Sequence, residues 1–153
     1  MKITEALFAE HMVFHNMFDF IEVEAPKLRT LAQIKCMAAM VECLLQCHSE
    51  TEDKLFIGPL EHCFEQIGHC ETFHQEHELI ERNLKLIRNA KQLKQARALL
   101  LGVVLASRKH FDKEERIVFP MAEAVLNGKT LVALARTWRE QRQVPARKVA
   151  NAN

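Results

Sequence analysis

His48 and Glu52 stand four residues apart, as do His110 and Glu114, and each pair precedes an apolar exit, Leu55-Phe56 in one case and Val118-Phe119-Pro120 in the other. Residues at that spacing share one face of a helix, with Cβ atoms about 6 Å apart. A histidine nitrogen and a carboxylate oxygen can therefore converge on one metal ion, or the carboxylate can reach across to a second. Two further histidines, His11 and His77, each follow a glutamate (Glu10 and Glu76) and each lead apolar residues at +3, +7 and +10: Phe14, Phe18 and Ile21, then Ile80, Leu84 and Ile87. The chain thus repeats one pattern, a Glu-His helix followed by a His-x-x-x-Glu helix. Each half offers two histidines and a carboxylate, the donor set of non-haem iron(II) sites with open coordination positions. Two halves meeting in one core imply two iron ions about 3.5 to 4 Å apart, tied by the glutamates and a bridging oxide or hydroxide. Of about twelve coordination positions, four histidines, two bridging glutamates and the bridge fill about ten. Roughly two remain for dioxygen, peroxide or nitric oxide.

The elements that must position these residues are helices. The 153 residues contain only 4 Gly and 4 Pro and no Tyr, and good helix formers dominate. Breaks fall at Ala25-Pro26, Gly58-Pro59, around Gly68, from Asn89 to Gln92, at Pro120 and at Asn127-Gly128. The expected fold is all-α, an antiparallel up-down four-helix bundle with a short C-terminal fifth helix. Its buried seams, read by alternating steps of three and four, run Leu7, His11, Phe14, Phe18, Ile21 in the first helix and Leu31, Ile34, Ala38, Val41, Leu45, His48, Glu52, Leu55 in the second. The third runs Phe73, His77, Ile80, Leu84, Ile87, and the fourth Leu93, Ala96, Leu100, Val103, Ser107, His110, Glu114, Ile117. Six of these positions, His11, His48, Glu52, His77, His110 and Glu114, carry polar groups where leucines would pack. Buried carboxylates persist when paired or bound to metal, and a metal cluster satisfies all six together. A lone seam histidine or a lone His-x-x-x-Glu pair would carry no such weight.

One domain is expected over residues 1–143, with a weakly basic tail over 144–153. With 21 Lys and Arg against 20 Asp and Glu, the net charge of +1 favours neither nucleic acid nor an anionic membrane. The most apolar run, Ala98 to Ala106, is about half the length a membrane span needs. Five cysteines without paired spacing, and no apolar leader in Met1 to Ala9, fit a reducing, cytoplasmic setting. Cys43 and Cys47, one turn apart, read as small buried residues. Leu131, Leu134 and Trp138 share a face that caps the bundle, with a contact across a homodimer as the alternative to a monomer.

His-Phe-Asp-Lys-Glu-Glu-Arg-Ile-Val-Phe-Pro (110–120) and Glu-His-Glu-Leu-Ile (76–80) resemble the last and third metal helices of the hemerythrin-like family, whose HHE domains hold a non-haem di-iron centre in a four-helix bundle. The resemblance covers about Leu7 to Val125. Carried over, it implies metal ligation by His11, His48, Glu52, His77, His110 and Glu114, and binding, storage or sensing of dioxygen or a related ligand. Peroxide or nitric oxide chemistry, or iron-sulfur cluster repair, is the alternative. Two positions depart from the oxygen-carrying members. Phe73 stands where they have a fifth histidine, which weighs against reversible oxygen carriage, and Glu115 stands where they have an aspartate ligand, which leaves Glu115 as the second choice to Glu114. His15 and His74 are marginal candidates, and His62 and His69 read as solvated. Glu71-x-x-His74 matches one half of a ferritin-like motif but has no second copy.

Overall fold

A computed structural model describes residues 1–58, 60 and 70–143, without the side chains of 56, 70–74 and 143. The expectations for Gly68, Cys63, His62, His69 and the 144–153 tail, and those for the side chains of Cys70, Glu71, Phe73 and His74, lie outside the described residues. All the regular structure described is helical, and no strand occurs among these residues. Helix α1 (Ile3–Glu24) ends in a 3-10 turn at Ala25–Lys27 that contains Pro26. Helix α2 (Leu31–Glu52) runs on through a π turn at Asp53–Ile57. Helix α3 (Cys70–Asn89) is followed by α4 (Leu93–Lys113), which passes through a second π turn at Glu114–Val118 into α5 (Phe119–Val125). Helix α6 (Gly128–Gln143) closes the molecule. This is the all-α bundle the seams predict, with α6 as the added helix.

Local chemistry sets the ends. Thr30 caps α2 reciprocally: its Oγ1 accepts from the Gln33 backbone N–H at 3.3 Å, and Gln33 Oε1 accepts from the Thr30 backbone N–H at 3.0 Å. Asn127 Oδ1 accepts the Thr130 N–H at 2.9 Å and starts α6. Arg97, on α4, donates to the carbonyls of Ala25 (3.0 Å) and Leu28 (2.6 Å), which the end of α1 leaves without helical partners.

Two details differ from the sequence expectation, and they share one cause. Pro120 was expected to stop the fourth helix, yet the helix continues to Val125. A proline ring normally crowds the carbonyl of the preceding turn; here that turn is the widened π turn, in which the Phe119 N–H reaches the Glu114 carbonyl. The π turn also inserts one extra residue into the period. Ile117, predicted on the seam, is 41% exposed, and Val118 is fully buried in its place.

The core divides in two. Phe14, Phe18, Ile34, Val41, Ile80, Leu84, Leu100 and Val103 belong to one apolar cluster. Ile3, Leu7, Ile57, Val118, Phe119 and Leu131 belong to another, against which Trp138 packs. Along α1, α2 and α4 the residues between these clusters are polar and buried: His11, then His48 and Glu52, then Ser107, His110 and Glu114. No helix among the described residues is long and apolar enough to cross a membrane.

Candidate metal centre

The polar layer is built from one residue on α1 (His11), two on α2 (His48, Glu52), one on α3 (His77) and two at the end of α4 (His110, Glu114). All six residues singled out in the sequence come together there. Donor atoms of Glu52, His77, His110 and Glu114 lie within 4.8 Å of one another, and so do those of His11, His48 and Glu114. The two groups share Glu114. Its Oε2 lies 3.3 Å from His11 Nε2 and its Oε1 lies 2.8 Å from His110 Nε2, so the carboxylate faces both halves at once. Glu52 has a similar place on the other side, its Oε2 lying 3.7 Å from His48 Nε2 and 3.9 Å from His77 Nε2. Both glutamates adjoin the π turns, a local widening often found at functional sites.

The outer nitrogens explain why all four inner ones point the same way. His48 Nδ1 lies 2.6 Å from Glu10, His110 Nδ1 2.9 Å from Glu76, and His11 Nδ1 2.9 Å from Glu115. His77 Nδ1 faces Asp53 at 3.7 Å. An ionised carboxylate only accepts, so at the three short contacts Nδ1 carries a proton and donates, and Nε2 is turned inward, where it can meet a metal once it carries no proton. The pattern is crossed. Glu10 precedes His11 but holds His48, and Glu76 precedes His77 but holds His110. In return Glu115, which follows Glu114, serves His11, and Asp53, which follows Glu52, faces His77. The repeat read in the sequence is thus a pseudo-twofold repeat in space.

These four carboxylates are the functional residues that the sequence reading left without this role. Their signal was present as the acid before each single histidine and the acid after each central glutamate. Glu115, the second choice for a ligand, occupies the outer position on His11. His15, the marginal candidate, accepts at Nδ1 from Arg108 (3.1 Å) and turns its Nε2 toward Glu115 (3.7 Å), away from the central donors.

Electrostatics show that the site as a set of protein groups alone is strained. Burial pushes Glu52 well above the usual carboxylate range, and the neighbouring Glu114 adds to that push. Burial works in the same sense on Glu114, but His110 and His11 outweigh it and hold its carboxyl far below that range. His110, which burial alone would lower, is lifted to about 9 by Glu114 and Glu76. Burial keeps His48 below its usual value despite Glu10. Both oxygens of Glu52 are buried with no hydrogen-bond donor, those of Glu114 are buried against His11 and His110, and paired imidazole nitrogens face each other at 3.3 Å (His11 and His48) and 2.7 Å (His77 and His110). Four inward imidazole nitrogens and two buried carboxylates in one layer are satisfied together by cations between them. Four nitrogens and two carboxylates make a donor set that fits such ions.

Residues 2–122 match the family model of the hemerythrin HHE cation-binding domain. The chain belongs to that family. No curated protein and no solved structure matches it. The HHE match contains all six central residues and all four outer carboxylates, and it ends before α6. Family and geometry together establish cation binding in a helical bundle. Around the HHE centre the packing is aromatic: Phe111 stacks on His11 at 4.0 Å, and Phe14 meets His48 edge-on at 5.3 Å. The expectation that Cys43 and Cys47 are buried does not hold, since both are exposed, as is Cys36.

Proposed function

We propose that His11, His48, Glu52, His77, His110 and Glu114 hold two iron ions joined by an oxide or hydroxide, and that this centre binds dioxygen or a related small ligand. The observation that carries the reading is Glu114, fully buried, with one oxygen directed at each histidine pair. Iron there would supply a redox-active centre with positions open to an exogenous ligand. The protein's part is to orient. Glu115, Glu10 and Glu76 fix the imidazole planes of His11, His48 and His110, Asp53 faces His77, and Phe14, Phe111 and Phe119 exclude bulk water from the His11 side. His77, with a side chain 14% exposed against 0–3% for the other three histidines, marks the side from which a ligand enters.

Peroxide or nitric oxide chemistry, or cluster repair, is the second reading. It is favoured by Phe73, which stands where oxygen carriers have a fifth histidine. Exposed thiols at Cys36, Cys43 and Cys47 suit a reducing, cytoplasmic compartment.

Anaerobic loading with ferrous iron, followed by metal analysis and optical spectra before and after air, tests both readings. About two irons per chain are expected, and fewer than about one would defeat the proposal. A band that returns to its starting form when oxygen is removed supports binding or sensing; irreversible oxidation supports turnover.

A further inference from the structure

Between α2 and α3 a cleft of about 530 Å³ runs inward and ends at His48, His77, His110 and Phe111. A diatomic ligand needs little more room than a water, whose share of the liquid is about 30 Å³. The cleft exceeds that more than tenfold and lies in the range of about 300–1,000 Å³ typical of sites for small organic molecules.

Its lining is graded. Leu45, Ile80 and Leu84, all buried, form its apolar walls. The charges at its mouth are already matched. Arg88 Nη2 lies 3.1 Å from Glu42, and Lys85 Nζ lies 3.3 Å from Glu81. The mouth therefore presents no net charge that would select an anion or a cation. Uncharged polar side chains, Gln46 and Ser49, also line the cleft, which meets His48, His77, His110 and Phe111; His77 is the most exposed of the four central histidines.

We propose that this cleft binds a neutral hydroxyaromatic molecule, its ring against Leu45, Ile80 and Leu84 and its hydroxyl toward His77 and His110. The placement of the hydroxyl rests on the iron reading above; the cleft itself does not.

The probe is 1-naphthol, a fluorescent neutral phenol, titrated into the full chain with and without iron. Saturable binding is expected in both forms, with stronger quenching of naphthol emission when iron is loaded. Ala39→Trp, at an exposed position on the cleft lining, should weaken binding about tenfold or more while iron content and melting temperature stay unchanged. Gln46→Trp, also exposed on the lining, repeats that test independently. Naphthalene-1-sulfonate, the same ring with a fixed negative charge, should bind at least about tenfold more weakly. Absence of saturable naphthol binding, or binding indifferent to both tryptophans, overturns the proposal, and equal or tighter sulfonate binding overturns the neutral class. Naphthol binding that the tryptophans block, in a protein that takes up no iron, would sink the di-iron reading and leave the cleft standing. Normal iron loading without naphthol binding would do the reverse.

Discussion

Glu10 holds His48, not its own neighbour His11: Glu10 Oε2 lies 2.6 Å from His48 Nδ1 across the α1–α2 interface. The same carboxylate is gripped from behind. Its Oε1 accepts from Trp138 Nε1 at 3.1 Å and from Arg142 Nε at 2.8 Å, and Arg142 Nη1 donates to Thr51 Oγ1 at 2.7 Å. Burial works against the charge on Glu10, yet His48 and Arg142 keep its carboxyl below the usual range. Glu76 has the equivalent arrangement, with His110 on one oxygen and the Lys113 ammonium on the other. Glu10 and Glu76 are thus each fixed in turn by a cation.

Replacing such an orienting carboxylate should loosen the metal without removing a central donor. Glu10→Gln and Glu76→Gln are each expected to lower iron affinity by about 10–100-fold, measured by competition with a chelator, with two irons still bound at saturation. Glu123→Gln, which removes a charge that pairs with Lys2 and accepts from Thr4 Oγ1 far from the polar layer, should leave affinity unchanged. Equal effects from all three would contradict the orienting role.

Helix α6 lies beyond the matched HHE residues but reaches the centre through Glu10. Trp138→Phe keeps the ring in its apolar contact and removes only the N–H donor, and Arg142→Gln removes the charge. Both should lower iron affinity by several-fold, in the order Arg142 over Trp138, because charged hydrogen bonds are the stronger. Trp138 is the chain's single tryptophan, so its emission in the wild-type protein gives an independent readout and should fall on iron loading. Unaltered emission across a full iron titration would argue against the coupling.

The six central positions were legible because a layer of buried polar residues replaces leucines on seams that up to that layer keep a helical period, and because the pattern occurs twice. Helix ends at Pro26, Asn89 and Asn127 were legible for a similarly local reason, turn and cap chemistry. The outer carboxylates were harder to read. Glu10 next to His11 looks like its partner on paper, and only the packing of α1 on α2 hands it to His48. The π turns were invisible to a 3.6-residue template, and that template accordingly misplaced Ile117 and stopped the helix at Pro120. Cys43 and Cys47 were misjudged because cysteine is commonly buried, whereas here they fall on the outer side of α2.

Without metal, stability should depend on pH in a defined sense. His110 is raised to about 9 in the folded protein, above the ordinary value near 6.5. Its contribution is fully present below about pH 6.5 and is lost as pH rises through about 9. Burial and Glu114 raise Glu52 as well, which acts in the same direction. The depressed Glu114 contributes above the ordinary carboxylate range and loses that contribution only in acid. Melting of the metal-free protein should therefore fall by several degrees between pH 6 and pH 9, and His110→Asn should flatten the slope. A melting temperature that rises over this interval would show the wrong sign.

Glu114 and Glu115 make the sharpest contrast, being adjacent in sequence and opposite in placement. Glu114 is fully buried and faces His11 and His110 with its two oxygens. Glu115 is 25% exposed on its side chain and meets the outer nitrogen of His11. Glu114→Ala removes a carboxylate whose donor atoms belong to both groups, so iron content should fall to less than about one per chain. Glu115→Gln should keep about two irons and lose affinity by about 10–100-fold. Metal analysis of the two variants, purified and loaded side by side, decides between the carboxylates. If Glu115→Gln empties the site while Glu114→Ala fills normally, the assignment of bridge and orienting group must be exchanged.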